Sequence, residues 1–232
     1  DVLSLRVNGN GPAGSIIASA DARGNVRGLI SNPEADLPSR LPGKLNVGEL
    51  VGQDGYLEVI KDIGLKQPFT GRVPLVSGEI AEDLASYYLK SEQIPSLVAL
   101  GVLVNTDLSI KAAGGLFVQA LPGADRRLLA RIESNILDMG AISELMKNHE
   151  RLEDILDQAF EGIPYSLVGE QALAFKCTCN RSKLANIMAS LTMDEIYDIY
   201  RSEGKLELTC NFCNEVYCFE PEEVEAIKSK KP

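Results

Sequence analysis

Two short stretches near the carboxy terminus decide how the chain is read: Phe175-Lys176-Cys177-Thr178-Cys179 and Cys210-Asn211-Phe212-Cys213. Thirty residues separate the two pairs, so each is local while the four thiols together span a domain-sized segment. Four thiolates suit zinc, which favours sulfur and closes a tetrahedron in structural sites. The spacing therefore predicts one Zn2+ ion held by Cys177, Cys179, Cys210 and Cys213. A catalytic zinc fits less well, because four protein ligands leave no position open for water.

The residues between and after the pairs have the grammar of a small α/β domain. Thr192 and Glu195 form a capping box ahead of Ile196, Ile199 and Tyr200, and Gly204 ends that helix. Lys205 to Thr209 reads as a strand leading into the second pair, Val216 to Phe219 as its hairpin partner, and Pro221 as the opening of a last helix. Residues 176–232 are fifty-seven in number. A core of that size seldom supplies more than ~3–5 kcal/mol, whereas a structural zinc site contributes roughly 10–16 kcal/mol of apparent binding energy. Loss of the metal is expected to unfold this piece, and oxidation of the thiolates is one route to that loss. Spacing alone leaves a permanently reduced zinc domain and a redox switch equally open. Cys218, beside Tyr217 and Phe219, is expected to be a core residue outside the site.

Upstream, the first third reads as β structure. Val2, Leu5 and Val7 precede a Gly/Pro turn, and Ile16, Ala18 and Ala20 form a second alternating run that ends at Asp21 to Asn25. The chain opens abruptly in that first strand without an initiator Met, and an amino-terminal portion is expected to precede it. Ile80, Leu84, Tyr87 and Tyr88 recur at helical spacing behind Glu79, Glu82 and Asp83, acids that suit the positive end of a helix. Leu97 to Val104 and Leu116 to Ala120 read as buried strands flanking the punctuation Ala112-Ala113-Gly114-Gly115.

From Asp125 the period changes to helical: Leu128, Leu129, Ile132 and Ile136, then Ile142, Leu145 and Met146, then Leu152, Ile155, Leu156 and Phe160, with stops at Gly140 and Gly162. Residues 123–175 carry ten acids and five bases. A plain connector and a metastable cover over a binding surface share this periodicity. The expected fold is α+β: a mixed or antiparallel sheet domain packed with helices over 1–122, a helical linker over 123–175, and a small zinc-binding α/β domain over 176–232.

Composition removes several function classes. A net charge of −10 and a pI near 4.7 oppose the phosphate attraction that nucleic-acid binding relies on. The longest strongly apolar run, Leu97 to Val104, is too short to cross a bilayer, and no signal peptide is visible. All five cysteines lie after residue 176, unlike a dispersed secreted framework, which points to a reducing cytoplasm. Gly9-Asn10-Gly11-Pro12-Ala13-Gly14 has dinucleotide-loop spacing, but a β-branched strand follows where a helix is needed. The single histidine, His149, sits in a charged stretch beside Glu150 and Arg151 with no partnered nucleophile, so no enzyme activity is expected.

Read together, the segments Gly11-Pro12, Ser77-Gly78-Glu79 through Tyr87-Tyr88 to Ser91-Glu92-Gln93-Ile94-Pro95, Ala112-Ala113-Gly114-Gly115, and the two cysteine pairs resemble the redox-regulated heat-shock chaperones called 33 kDa chaperonins. The resemblance implies a cytoplasmic, ATP-independent holdase of the oxidative stress response, zinc-bound and inactive when reduced. It implies disulfides Cys177 to Cys179 and Cys210 to Cys213 on oxidation, zinc release, unfolding of the linker, and exposure of apolar surface. The implied partners are unfolding client proteins, downstream ATP-dependent foldases, and a second copy in an oxidised homodimer, with neither nucleic acid nor membrane. Family members carry a further strand and helix ahead of the first residue here. A constitutive zinc-stabilised interaction adaptor is the competing reading of the residues; a zinc hydrolase would need fewer than four protein ligands.

Overall fold

A computed structural model describes residues 1–39, 44–148 and 151–229. Its strands are β1 (Val2–Asn8), β2 (Ser15–Asp21), β3 (Asn25–Ile30), β4 (Tyr56–Asp62), β5 (Phe69–Pro74), β6 (Ser96–Val104), β7 (Ile110–Gln119), β8 (Ala174–Phe175), β9 (Leu206–Thr209) and β10 (Val216–Phe219). Its helices are α1 (Val47–Val51), α2 (Ile80–Tyr87), α3 (Arg126–Asp138), α4 (Ile142–Asn148), α5 (Leu152–Ala159), α6 (Arg181–Met188), α7 (Met193–Glu203) and α8 (Pro221–Lys228). The fold is mixed α+β. The chain divides into two compact units, one of Asp1–Ser19 with Ile30–Ala172, the other of Ala20–Leu29 with Leu173–Pro232. Among the described residues no helix is long and apolar enough to cross a membrane.

In the first unit the strands neighbour one another in the order β5-β4-β1-β2. The antiparallel register sets Val7 opposite Leu57 and Leu5 opposite Val59. Alternation sends these side chains to one face, where Val7, Val51, Leu57, Val59, Val73, Leu75 and Tyr87 form a core closed by α1 and α2. On the other face Glu58 is buried between its register partners Arg6 and Arg72, with the Arg72 Nε donating at 3.0 Å. Asp83 is fully buried and its Oδ1 accepts the backbone N–H of Val76 at 2.6 Å. It ties down the loop ahead of α2, beyond the dipole role that its first-turn position suggests.

The β6–β7 hairpin departs from expectation in two ways. Its strands are not buried on both faces: Leu100, Val102, Ile110 and Phe117 stay about half exposed. Nor is Ala112-Ala113-Gly114-Gly115 a break, because all four residues lie inside β7. The glycines serve helix packing. A Cβ on Gly101 would come 2.6 Å from Ile142 Cγ2, and one on Gly114 would come 2.6 Å from Met146 Cε, so α4 lies directly on the Gly101↔Gly114 pair. On the other face α2 borders β6 and the Tyr88 ring lies 4.8 Å from that of Phe117, yet Leu100, Val102 and Phe117 remain about half exposed.

Around Gly9 to Gly14 the chain approaches α1 closely, with Gly11 N–H donating to Val51 O at 2.8 Å and Ala13 N–H to Leu50 O at 3.0 Å. A Cβ on Gly9 would strike Val51 O at 2.1 Å. These glycines thus answer a backbone packing demand, and β2 follows rather than a nucleotide-binding helix. The helices α3 and α5 pack together, and Asn135 Nδ2 donates to Ala159 O at 3.0 Å. Asp125 caps α3 by accepting from Arg127 N–H, and Gly140 and Gly162 carry the positive φ values that helix stops require.

The second unit is built around Leu184, Met188, Ile196, Leu206, Phe219 and Val224. Helices α6, α7 and α8 supply one side of this core and the β9–β10 hairpin the other. The Thr192/Glu195 capping box, the left-handed Gly204 and the N-terminal Pro221 of α8 all stand where local chemistry puts them. The short β8 pairs in parallel with β3, Asn25 opposite Ala174 and Val26 opposite Phe175.

Candidate metal centre

Each cysteine pair is presented by a different local device. The first follows β8, which is fixed to β3 by Ala174 N–H donating to Gly24 O (3.0 Å) and Lys176 N–H donating to Val26 O (2.9 Å). Directly after Cys179, Asn180 caps α6 by accepting the Lys183 N–H at 2.9 Å, so the chain turns away as soon as the second thiol is delivered. The second pair occupies the connection between β9 and β10. Cys210 N–H donates to Glu215 O at 2.9 Å, Asn214 N–H donates to Cys210 O at 2.8 Å, and Asn214 takes a left-handed φ of 57°. Asn tolerates that conformation better than most residues, which closes the knuckle.

These devices bring the Sγ atoms of Cys177, Cys179, Cys210 and Cys213 within 4.8 Å of one another. Two close approaches cross between the pairs, 3.6 Å for Cys177 to Cys210 and 3.4 Å for Cys179 to Cys213. Four sulfurs at ~2.3 Å from a tetrahedral zinc stand about 3.8 Å apart. Donor type, number and spacing therefore fit a closed zinc site. All four thiols are free of disulfides; Cys210 is buried and the other three are partly covered.

The electrostatics are those of a thiol cluster sharing protons. Burial raises the Cys177 thiol, but the Cys179 backbone N–H and the neighbouring Cys179, Cys210 and Cys213 thiols outweigh it and draw Cys177 down to about 6. At Cys213 the backbone hydrogen bond from Glu215 lowers the thiol, yet Cys179, burial, Cys177 and Cys210 prevail and it is pushed up to about 12. The first proton leaves readily because the remaining thiols solvate the charge; the last is held by the charges already present.

A second layer of side chains holds Thr178 of the first knuckle and Phe212 of the second. Arg27, from β3, donates through Nη1 to Thr178 Oγ1 at 2.9 Å, and its guanidinium lies 4.4 Å from the centroid of the Phe212 ring. Lys183 Nζ donates to Thr178 O at 2.8 Å. Two cations thus stand near a centre that would carry four thiolates around one divalent ion. Tyr217 Oη lies 3.4 Å from Cys179 Sγ, and this hydrogen bond is the leading reason that its hydroxyl is pushed up to about 12.

Sequence reasoning found the four thiols and missed Arg27, Lys183 and Tyr217. Nothing in the chain marks Arg27, whose partners Thr178 and Phe212 lie more than 150 positions away. Tyr217 was within reach: in β10 it alternates with Cys218, and the same alternation corrects the expectation for Cys218. Phe219 is buried, whereas Cys218 is exposed, its thiol 3.9 Å from Glu207. His149 lies outside the described residues.

Comparison with known proteins agrees over nearly the whole chain. The model of the family described as Hsp33 protein matches residues 1–220. The 33 kDa chaperonin of Desulforamulus reducens is 46% identical over 227 residues, covering 98% of this chain and 77% of the relative. That of Oceanobacillus iheyensis is 44% identical over 228 residues, covering 98% and 79%. The crystal structure of the 33 kDa chaperonin from Thermotoga maritima superposes with a TM-score of 0.88 at 40% identity, covering 98% of this chain and 77% of that one.

Proposed function

We infer that this chain, which belongs to the Hsp33 family, is a redox-regulated, ATP-independent holdase chaperone whose reduced form keeps its four clustered cysteines on one zinc ion. The observation that carries the reading is the convergence of the sulfurs of Cys177, Cys179, Cys210 and Cys213 within 4.8 Å. Bound there, zinc supplies a cross-link between the two knuckles and with it much of the folding free energy of the surrounding domain.

Peroxide is the oxidant class. Two thiolates of a pair give up one electron each, the peroxide takes both and leaves as two hydroxides, and a sulfur–sulfur bond forms. On the pairing of the family, Cys177 joins Cys179 and Cys210 joins Cys213. Both bonds together consume every ligand thiolate, so the domain over 176–232 loses its cross-link and melts. The linker over 123–175 then unfolds as well. The apolar surface of the domain over 1–122 becomes available to unfolding clients. The half-exposed Leu100, Val102 and Phe117 of β6 and β7 supply apolar surface of the required kind. The active form is a homodimer in the cytoplasm that passes clients to ATP-dependent foldases after reduction, and it performs no catalysis.

The test measures zinc release with a chromophoric chelator, together with suppression of client aggregation, before and after warm peroxide. Release accompanied by new suppression that a reductant reverses is the expected result. Zinc retained, or released with no gain in holding activity, would point instead to a constitutive zinc-stabilised adaptor.

A further inference from the structure

Among the described residues, one side chain outside the ligand set is hydrogen-bonded to a ligand sulfur. Tyr217 projects from β10, is half-buried, and packs its ring against the core of the second unit. Its hydroxyl reaches Cys179 Sγ at 3.4 Å. In the metal-bound state Cys179 is a thiolate with no proton to give, so the phenol is the donor. A hydrogen bond to a thiolate stabilises its charge and lowers its nucleophilicity, and oxidation by peroxide begins with nucleophilic attack by sulfur.

We propose that Tyr217 is a positioning residue that restrains Cys179, setting through this hydrogen bond how readily that sulfur attacks an oxidant or any other electrophile. For peroxide, the Cys179 thiolate takes one peroxide oxygen as a sulfenic acid and hydroxide leaves. The Cys177 thiolate then attacks the sulfenic sulfur, the disulfide forms and a second hydroxide leaves. Tyr217 supplies neither electrons nor protons to the sum; it holds the attacking lone pair back. The restraint falls on Cys179 among the four ligands, because the phenol bonds that sulfur while Thr178 and Phe212 are held separately by Arg27. The oxidative consequence rests on the redox reading above, whereas the restraint itself does not.

Tyr217→Phe removes the donor and keeps the ring that packs against the core. In the reduced, zinc-loaded full chain, iodoacetamide should alkylate Cys179 of the variant about tenfold faster than in the parent, the effect of removing roughly 1.4 kcal/mol of a charge-assisted hydrogen bond. Peptide mapping should show the other ligand cysteines changed much less, with zinc content and thermal unfolding unaltered. Limiting peroxide should release zinc from the variant faster by a similar factor. A monofluorinated tyrosine at 217, a stronger donor, should slow both reactions, which keeps the question answerable if Tyr217→Phe loosens the domain. Equal alkylation of Cys179 in parent and variant, or an equal rise at all four ligands, overturns the inference. Faster alkylation at Cys179 with zinc retained under peroxide in both proteins supports the restraint and defeats the redox reading instead.

Discussion

The two units keep themselves folded by different means. In the first, the register of β1, β4 and β5 and the helices α1 and α2 enclose Val7, Leu57, Val59 and Tyr87, each almost wholly removed from water. The second has a well-formed core of its own around Ile196, Leu206 and Val224, but it also gathers four thiols at one place, where their mutual repulsion as thiolates has to be neutralised. The first unit depends on apolar burial supported by ion pairs and hydrogen bonds such as that of Glu58 with Arg72, none of which solvent redox chemistry touches. On the function proposed above, the other adds a metal cross-link that an oxidant or a chelator would withdraw.

The largest expected effect separates them outright. Stripping the metal with a strong chelator, or Cys210→Ser, should remove roughly 10–16 kcal/mol of apparent binding energy from the second unit. Hydrogen exchange should then show amide protection lost across α6, α7, α8, β9 and β10 and kept in β1, β4 and β5. Uniform loss in both units would break the comparison.

Next come matched core truncations. Leu57→Ala and Ile196→Ala both delete fully buried aliphatic groups and should each cost ~2–5 kcal/mol in zinc-loaded protein. In zinc-free protein only Leu57→Ala should still move the remaining unfolding transition, since the unit containing Ile196 has already melted. Denaturant titrations with and without chelator measure this.

Arg27→Ala is a smaller and more local perturbation. It removes the donor to Thr178 and the cation over Phe212, and should weaken zinc binding by about tenfold, as loss of a group that orients ligands does. A competitive chelator titration reads the change, and Arg27→Lys should recover part of it by restoring the charge.

The smallest effect belongs to the first unit. The Lys61 ammonium, 2.6 Å from Glu92, and then the Tyr87 hydroxyl at 2.7 Å hold the Glu92 carboxyl below its ordinary range. A depressed carboxylate stabilises the fold above its ordinary value, and that contribution disappears as pH falls through the lowered one. Acidification should therefore cost the parent about 1 kcal/mol that Glu92→Gln does not lose further, visible as a smaller acid-induced drop in Tm for the variant.

Much of the candidate centre was open to a reader of the sequence because its instructions are local. Each cysteine pair, the Thr192/Glu195 capping box, the Gly204 stop and the Pro221 start act within a few residues, and a hydrogen bond spanning three positions leaves its mark in the sequence. The strands β4 and β5, which carry Leu57, Val59 and Val73 of the first core, escape a reading of the sequence because Glu58, Lys61 and Arg72 interrupt their apolar pattern. The register explains the interruption, since Glu58 meets Arg72 across the strands. The glycines of β6 and β7 looked like punctuation because nothing adjacent in sequence announces that α4 will lie on them.

The chain by itself determined its period changes, its turns and caps, and the chemistry of a four-thiolate set. Tertiary structure decided which side chains surround that set: Arg27 against Thr178 and Phe212, Lys183 on the Thr178 carbonyl, Tyr217 on Cys179, and Cys218 turned outward. The reason is physical. Local signals are written in propensities and hydrogen bonds that close over one turn of backbone, whereas the polarity and reactivity of a site depend on groups that only a completed fold brings within 3 or 4 Å.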